Sequence, residues 1–336
     1  MRVLFFLWGT PVRASTRVRG LYMAGQLRKM GLDCSTACGL VKYLSLPFRF
    51  KGYDRILFHR CYPLIDVCVQ GFAKRIGKIT VFDLDDAPFG VSRSPRKEKE
   101  VIRIMRNSNA VIVGSRKLAE FAKRYNDRVY QVPTTIDLDY YRPRKKTEDR
   151  DRITLGWIGA SIGYKKDLLS LIKPLEELGG KYKIKLILVG ALRQKDIHKA
   201  FGAMKNVTAE IIDTLDWADP LAGPSAIARF DIGLYPLIDN EYNQYKCAFK
   251  ALEYMAMGLP AVASPVGENR FVIDNGVDGF LASNDEEWKD GISRLIEDTG
   301  LRREMGQKGR DKIERSYSTE LWAGKLVKIF EEIHKT

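Results

Sequence analysis

Residues 3–8, VLFFLW, form an unbroken apolar run that stops at Gly9. A run this short, with no polar alternation, is the pattern of a strand buried on both faces, and such strands belong to parallel sheets covered by helices. A helical pattern follows. Ser15 or Thr16 is placed to cap it, apolar residues recur at Val18, Leu21, Tyr22 and Leu27, and Gly31 ends it before a strand-like stretch at 32–37. This β-α-β opening recurs in kind. Further strands are expected at 55–59, 79–84, 110–114 and 129–132, then at 153–158, 185–190, 232–236 and 260–264. Helices are expected at 166–178, 196–204 and 249–257, with a helical end from 286 onward. The alternation predicts an α/β architecture, and the lack of an internal repeat argues against a solenoid.

At 336 residues the chain exceeds one core of typical size, so two domains are expected. Residues 141–152 are highly charged and nearly free of apolar side chains, the composition of a linker. The expected organisation is an amino-terminal domain over 1–140, a linker over 141–152 and a carboxyl-terminal domain over 153–317, with a last helix at about 318–336 packing back on the first domain. Open sheets of this type bind ligands at the carboxyl ends of their strands, so the cleft facing those ends is the place to look for chemistry. The run at 3–8 is too short to cross a bilayer and lacks the flanks of a signal peptide, which gives a cytosolic expectation. The five cysteines contain no CxxC pair and the three histidines lie far apart, so neither a disulfide framework nor a zinc site is expected.

Charge divides the chain unevenly. Residues 1–150 hold 30 Lys and Arg against 14 Asp and Glu, whereas residues 151–336 hold 26 against 28. The first half is therefore +16 and the second −2, so the whole of the net surplus of +14 arises in the first half. Such asymmetry points to an anionic partner for that half: a membrane surface, a phosphorylated lipid, an acidic glycan or nucleic acid. A merely solubilising surface is the alternative. No nucleic-acid-binding module or interleaved run of aromatic and basic residues accompanies the charge, so nucleic acid is not the expected partner.

The most informative stretch is 239–269, DNEYNQYKCAFKALEYMAMGLPAVASPVGEN. A polar loop enters a helix near Phe249, Gly258 ends it, and 260–264 returns to the sheet. The helix amino terminus offers unclaimed amides to a diphosphate, Lys246 and Lys250 add positive charge, and Glu253 one turn on is placed to accept hydrogen bonds from a ribose. An ordinary surface pair of Lys250 with Glu253 explains the same residues. Upstream, 154–172 (TLGWIGASIGYKKDLLSLI) places Gly159, Ser161, Lys165 and Lys166 after a strand, where they either face phosphate or simply begin a solvated helix. In the first half, Gly9 and Thr10 open a loop that carries Arg13, Arg17 and Arg19; these arginines either receive an anionic acceptor or are exposed helix charge. At 82–88, FDLDDAP ends an apolar strand with three carboxylates, fit to bind sugar hydroxyls, act as a base or hold a metal; capping of a helix by Asp86 is the alternative.

The 239–269 block resembles the carboxyl-terminal signature of retaining GT-B glycosyltransferases of family 4, where E-x7-E precedes MA-x-G-x-P-V-V-A. Glu253 and residues 255–263 match its second half, and 264–269, 275–281 and Trp288 continue the likeness. The resemblance implies an α/β GT-B fold, two Rossmann-like domains facing across a cleft. It also implies transfer of a sugar from a nucleotide-diphosphate sugar to an acceptor, a step expected to need no metal or other cofactor; the basic first half points to a glycan or lipid-linked acceptor in cell-envelope or surface polysaccharide synthesis. Glu253 then holds the donor ribose, Lys166 and Lys250 stabilise the departing diphosphate, and Gly9 and Thr10 lie near it. Arg13, Arg17 and Arg19 serve the acceptor, and Asp85 and Asp86 the reacting sugars. Two positions depart from the pattern: Tyr245 stands where the first glutamate is expected, with Asp239 or Glu241 as substitutes, and Ala160 stands where an arginine is expected. The basic first half adds the expectation of peripheral contact with the inner face of the plasma membrane. The competing readings are a nucleotide-sugar epimerase or phosphorylase of the same architecture, and a non-catalytic nucleotide- or nucleic-acid-binding protein.

Overall fold

The computed structural model describes residues 1–39, 43, 50–89, 94–143 and 152–333. The chain divides into two units. The first comprises Met1–Asp137, Gln244–Cys247 and Tyr317–Thr336; the second comprises Leu138–Asn243 and Ala248–Ser316. Most of the expected linker, residues 144–151, and the last three residues of the expected closing helix lie outside the described residues.

In the first unit, strands β1 (Arg2–Leu7), β2 (Asp33–Ala37), β3 (Arg55–His59), β4 (Ile79–Leu84), β5 (Ala110–Val113) and β6 (Val129–Gln131) form a parallel sheet in the order β2-β1-β3-β4-β5-β6. Val3 pairs with Cys34 on one side and Arg55 on the other, so β1 is interior and its uninterrupted apolar run is buried on both faces. Val3, Phe5, Leu7, Leu57, Val81 and Ile112 make one core. The helix Thr319–Glu332, opened by a Ser318 cap on Leu321, returns to this core with Ala323, Leu326 and Phe330.

In the second unit, β7 (Ile153–Ile158), β8 (Ile184–Val189), β9 (Val207–Ile212), β10 (Ile232–Tyr235), β11 (Ala261–Ala263) and β12 (Gly279–Leu281) are also parallel, in the order β12-β11-β10-β7-β8-β9. This is the doubly wound order 3-2-1-4-5-6, whose topological switch point lies between β7 and β10. In the first sheet the switch lies between β1 and β3. The loops leaving these four strands therefore have open space at the sheet's carboxyl edge.

Three local expectations need correction. Neither Ser15 nor Thr16 caps the first helix by its side chain: the Thr16 hydroxyl donates to the Trp8 carbonyl, and the chain enters through a wide π-helical stretch, Thr16–Tyr22, before the α-helix Met23–Lys29. The helix expected over 166–178 is broken into Lys165–Leu169 and Ile172–Gly179. Strands β9 and β12 were not anticipated; β9 is a half-exposed edge strand carrying Thr208 and Glu210, and β12 has only three residues.

Candidate functional site

In the second unit the helix Phe249–Ala256 lies against β10 and β11, and its seat is cut by two glycines. Gly156 of β7 and Gly233 of β10 are paired in register. A Cβ on Gly233 would lie 2.2 Å from the Tyr254 ring, and one on Gly156 would lie 2.1 Å from Phe230. Tyr254 fills the space so created; its hydroxyl donates to the Leu234 carbonyl at 3.2 Å and accepts from the Ile158 amide at 3.3 Å. Burial, and then the adjacent Glu253, raise the Tyr254 pKa, so the phenol keeps the proton that this bond requires. The side chain thus fixes the helix against both strands that flank the switch point.

Lys250 and Glu253 are both buried, at 6% and 7% exposure, and so are not a surface pair. Lys250 reaches over three rings, with Nζ 3.5 Å from the Tyr164 centroid, 4.8 Å from Tyr235 and 5.3 Å from Trp157. Among the described residues it has no carboxylate partner. Glu253 accepts a 2.6 Å hydrogen bond from the Tyr141 hydroxyl. That bond holds the carboxylate in one orientation. Before the helix, Ala248 adopts a left-handed conformation at φ 56°, which turns the chain sharply; the first-turn amides, as at any helix start, have no intrahelical acceptors.

The β7 loop distributes its residues differently from expectation. Gly159 lies under Lys250: a Cβ there would come 2.6 Å from Lys250 Cε. Ser161 is buried and gives its only hydroxyl proton to the Ala191 carbonyl at 2.7 Å, so it is not a free donor for phosphate. Lys165 is committed to Asp196. Lys166 is exposed and has no ion-pair partner among the described residues. Asp239 and Glu241 are exposed on a loop held by Asp167, whose Oδ1 accepts from the Ile238 amide at 2.7 Å and from Asn243 Nδ2 at 3.0 Å.

In the first unit the expected arginine cluster does not form. Arg19 is buried, with its guanidinium bidentate on Asp83 and its Nη1 donating 2.9 Å to the Val132 carbonyl. His59 Nδ1 meets Asp83 Oδ2, the oxygen that also accepts from Arg19 Nε, at 2.7 Å. Burial alone would raise the Asp83 pKa, but Arg19 and His59 more than compensate and hold it well below the usual carboxylate range. Arg19 is therefore buried in an ion pair rather than standing as exposed charge, and Asp83 is taken up by Arg19 and His59 instead of acting with Asp85 and Asp86. Arg13 stacks 4.3 Å over Trp8, and Arg17 Nη1 donates to the Pro11 and Val12 carbonyls at 3.2 and 2.6 Å, ordering the loop that begins at Gly9 and Thr10.

Asp85 and Asp86 meet a cation that sequence reasoning missed. Arg60, at φ 51° after β3, lies 3.5 Å from each of them and 5.6 Å over Trp8. Lys246, from the segment Gln244–Cys247 of the same unit, lies 3.5 Å from Asp86. Burial pushes Asp86 up, yet Lys246 and Arg60 bring it below its ordinary pKa. Asp86 is not a helix cap; its Oδ1 accepts from the Ala87 amide, and the next helix, Pro95–Asn107, is capped by Ser94. Tyr245 is buried edge-on against Phe89, 5.6 Å between centroids, and its carbonyl accepts from Ser115, so its ring is a packing group. Arg60 was legible by the rule that singled out 82–88, a polar residue directly after an apolar strand. No group of three or more His, Cys, Asp or Glu among the described residues could hold a metal, and no described helix is long and apolar enough to cross a membrane.

Residues 152–298 match the family model for Glycosyl transferases group 1. A curated relative, spore coat protein SA of Bacillus subtilis, is 22% identical over 188 residues. That alignment covers 55% of this chain and 42% of the relative, so the chain spans less than half the length of that protein. Among solved structures, sucrose-phosphate synthase from Thermosynechococcus elongatus superposes with a TM-score of 0.75 at 15% identity, covering 99% of each chain. HepE from Anabaena, in complex with UDP and glucose, gives 0.74 at 15% identity, covering 99% of this chain and 100% of that one. The fold is that of GT-B glycosyltransferases, two α/β units each built on a six-stranded parallel sheet.

Proposed function

We propose that this protein is a retaining glycosyltransferase that moves a hexosyl group from a nucleoside-diphosphate sugar to a glycan or lipid-linked acceptor in envelope or surface polysaccharide synthesis. The observation that carries the reading is the state of Lys250 and Glu253. They are opposite charges one turn apart on a single helix, both buried, and among the described residues Lys250 has no carboxylate partner. Burying a charge without an ionic partner is costly, and a site that accepts the cost is one that a charged ligand completes. The family match over 152–298 and HepE's complex with UDP and glucose favour a nucleotide sugar as that ligand.

In this reading the first-turn amides of Phe249–Ala256 and the Lys250 ammonium receive the diphosphate, and Glu253, steadied by Tyr141, accepts from the ribose. As the glycosidic bond breaks, negative charge grows on the departing diphosphate. Groups already aimed at that charge lower the barrier without reorganising, and exposed Lys166 adds to them as the donor approaches. No metal is needed for this step.

The acceptor belongs with the first unit. Asp86 sits below its ordinary pKa, which makes it a weak base at neutral pH but a good hydrogen-bond acceptor; with Asp85 it orients sugar hydroxyls rather than carrying a proton away. Arg60, Lys246 and Arg13 supply positive charge to the same region. The charge surplus of residues 1–150 supports an acceptor presented at the anionic inner face of a membrane, where the protein would sit peripherally. The test is a panel of nucleotide sugars read by thermal stabilisation and by slow hydrolysis. At least one should raise the melting temperature by linkage and be hydrolysed or transferred; stabilisation by none of them overturns the assignment.

A further inference from the structure

We propose that Trp157, Tyr164 and Tyr235 are positioning residues: they form an aromatic cage that holds the Lys250 ammonium in place and away from water until a phosphate arrives. The inference rests on the donor-site reading above and adds to it the means by which a buried lysine is held ready. The cage comes from three places in the second unit, β7, the turn before Lys165–Leu169, and the end of β10, and its rings converge on Nζ at 5.3, 3.5 and 4.8 Å. Trp157 and Tyr164 also pack edge to face, with centroids 5.8 Å apart, and Tyr164 lies 6.3 Å from Tyr235, so the rings support one another. The Lys250 stem reaches them by passing over Gly159, the one residue type that leaves room for its Cε.

The choice of aromatic rings has a chemical consequence. A carboxylate in their place would hold the ammonium in a charge-assisted bond that a phosphate must then displace. Ring faces attract a cation through their quadrupole, more weakly than a phosphate does, and offer no hydrogen-bond acceptor along the ring normal. The ammonium is thus fixed in space but not neutralised. Trp157 gives a second sign that ring character matters: its buried Nε1 has no hydrogen-bond partner among the described residues, a cost that a phenylalanine or leucine would not incur. Trp has the strongest cation-binding face of the aromatic side chains.

The experiment is a double-mutant cycle on the full chain, titrated calorimetrically with UDP, GDP and ADP, with uridine, guanosine and adenosine as phosphate-free controls. Tyr164→Leu should weaken binding of the preferred diphosphate about tenfold and Tyr164→Phe by less than about twofold, because phenylalanine keeps the ring face. Gly159→Ala, which displaces the Lys250 stem rather than the backbone, should act like Tyr164→Leu. In a Lys250→Met background neither substitution should weaken binding further, and none should alter binding of the matching nucleoside. Equal losses from Tyr164→Leu with and without Lys250, or equal losses from Tyr164→Phe and Tyr164→Leu, would overturn the cage. Failure of the parent protein to bind any of the three diphosphates would instead remove the donor-site reading, and the cage with it.

Discussion

The hydroxyl of Tyr141 donates a 2.6 Å hydrogen bond to Glu253, and the same residue's carbonyl accepts from Arg310 Nη1 at 2.6 Å. Arg310 Nη1 also bonds the Ala256 carbonyl at the far end of the Glu253 helix. Tyr141 is thereby fastened at both its backbone and its side chain, and it holds the carboxylate in one orientation. Replacing Glu253 by Gln should weaken nucleoside-diphosphate binding by about 10- to 100-fold, the range for losing a hydrogen bond to a charged group. Tyr141→Phe, which keeps the charge and loses only the orienting bond, should cost roughly threefold to tenfold. Titration of both variants against the parent checks the order; a larger loss for Tyr141→Phe than for Glu253→Gln would contradict it.

Asp83 should govern acid stability in the first unit. Asp83→Asn leaves Arg19 buried without its counter-charge and should destabilise the protein by about 3–5 kcal/mol at neutral pH. Because the folded-state pKa is depressed, the carboxylate's contribution is complete above the unfolded value near ~3.9 and is lost as pH falls through the lower folded value. Urea denaturation of parent and variant at a series of pH values should show a constant gap above about pH 5 that narrows as the pH drops below about 4. A gap that widens on acidification would contradict this account.

Ala248 holds a left-handed conformation that glycine adopts without strain. Ala248→Gly should therefore stabilise by roughly 0.5–1 kcal/mol, the relief of strain exceeding the added entropy of the unfolded chain. Since the entry to Phe249–Ala256 is unchanged, nucleotide affinity should stay within about twofold. Thermal melts and a single titration decide the point, and a net loss of stability would show that the turn is held by side-chain contacts rather than against backbone strain.

The basic surface of the first unit should show itself on membranes. Helix Pro95–Asn107 exposes Arg96, Lys99, Arg103 and Arg106, and Arg116–Lys123 with the following residue exposes Arg116, Lys117, Lys123 and Arg124. Each such side chain near an anionic bilayer contributes about 1 kcal/mol, screened within a Debye length. Vesicles containing anionic lipid should sediment the protein at low salt and release it at high salt, with Arg103→Glu plus Arg106→Glu weakening the association. Equal binding to purely zwitterionic vesicles would count against an electrostatic surface.

Much of the fold was legible because burial on both faces writes itself into sequence as unbroken apolar runs: β1, β3, β4, β5, β7 and β8 stand where those runs stand. Edge strand β9 did not, since exposed Thr208 and half-buried Glu210 interrupt the pattern that marks an interior strand. Lys250 and Glu253 were legible as chemistry on one helix, but the cage around Lys250 was not. Trp157, Tyr164 and Tyr235 look in sequence like ordinary core aromatics, and nothing in their spacing reveals a common focus.

What the sequence determined by itself is the alternation of strand and helix, the charge surplus of the first half and the block around Glu253, all properties of neighbours along the chain. The partners of the charges were decided by tertiary structure. Arg13, Arg17 and Arg19 are alike in sequence, yet one stacks on Trp8, one orders its own loop and one is buried on Asp83, 64 residues away. Arg60 and Lys246 converge on Asp86 from opposite sides of it in the chain, one from the end of β3 and one from the loop before Phe249–Ala256. A charge's role depends on which strand ends the sheet order makes adjacent, and on how much water remains between them. Both are fixed only when β1, β3 and β4 lie side by side.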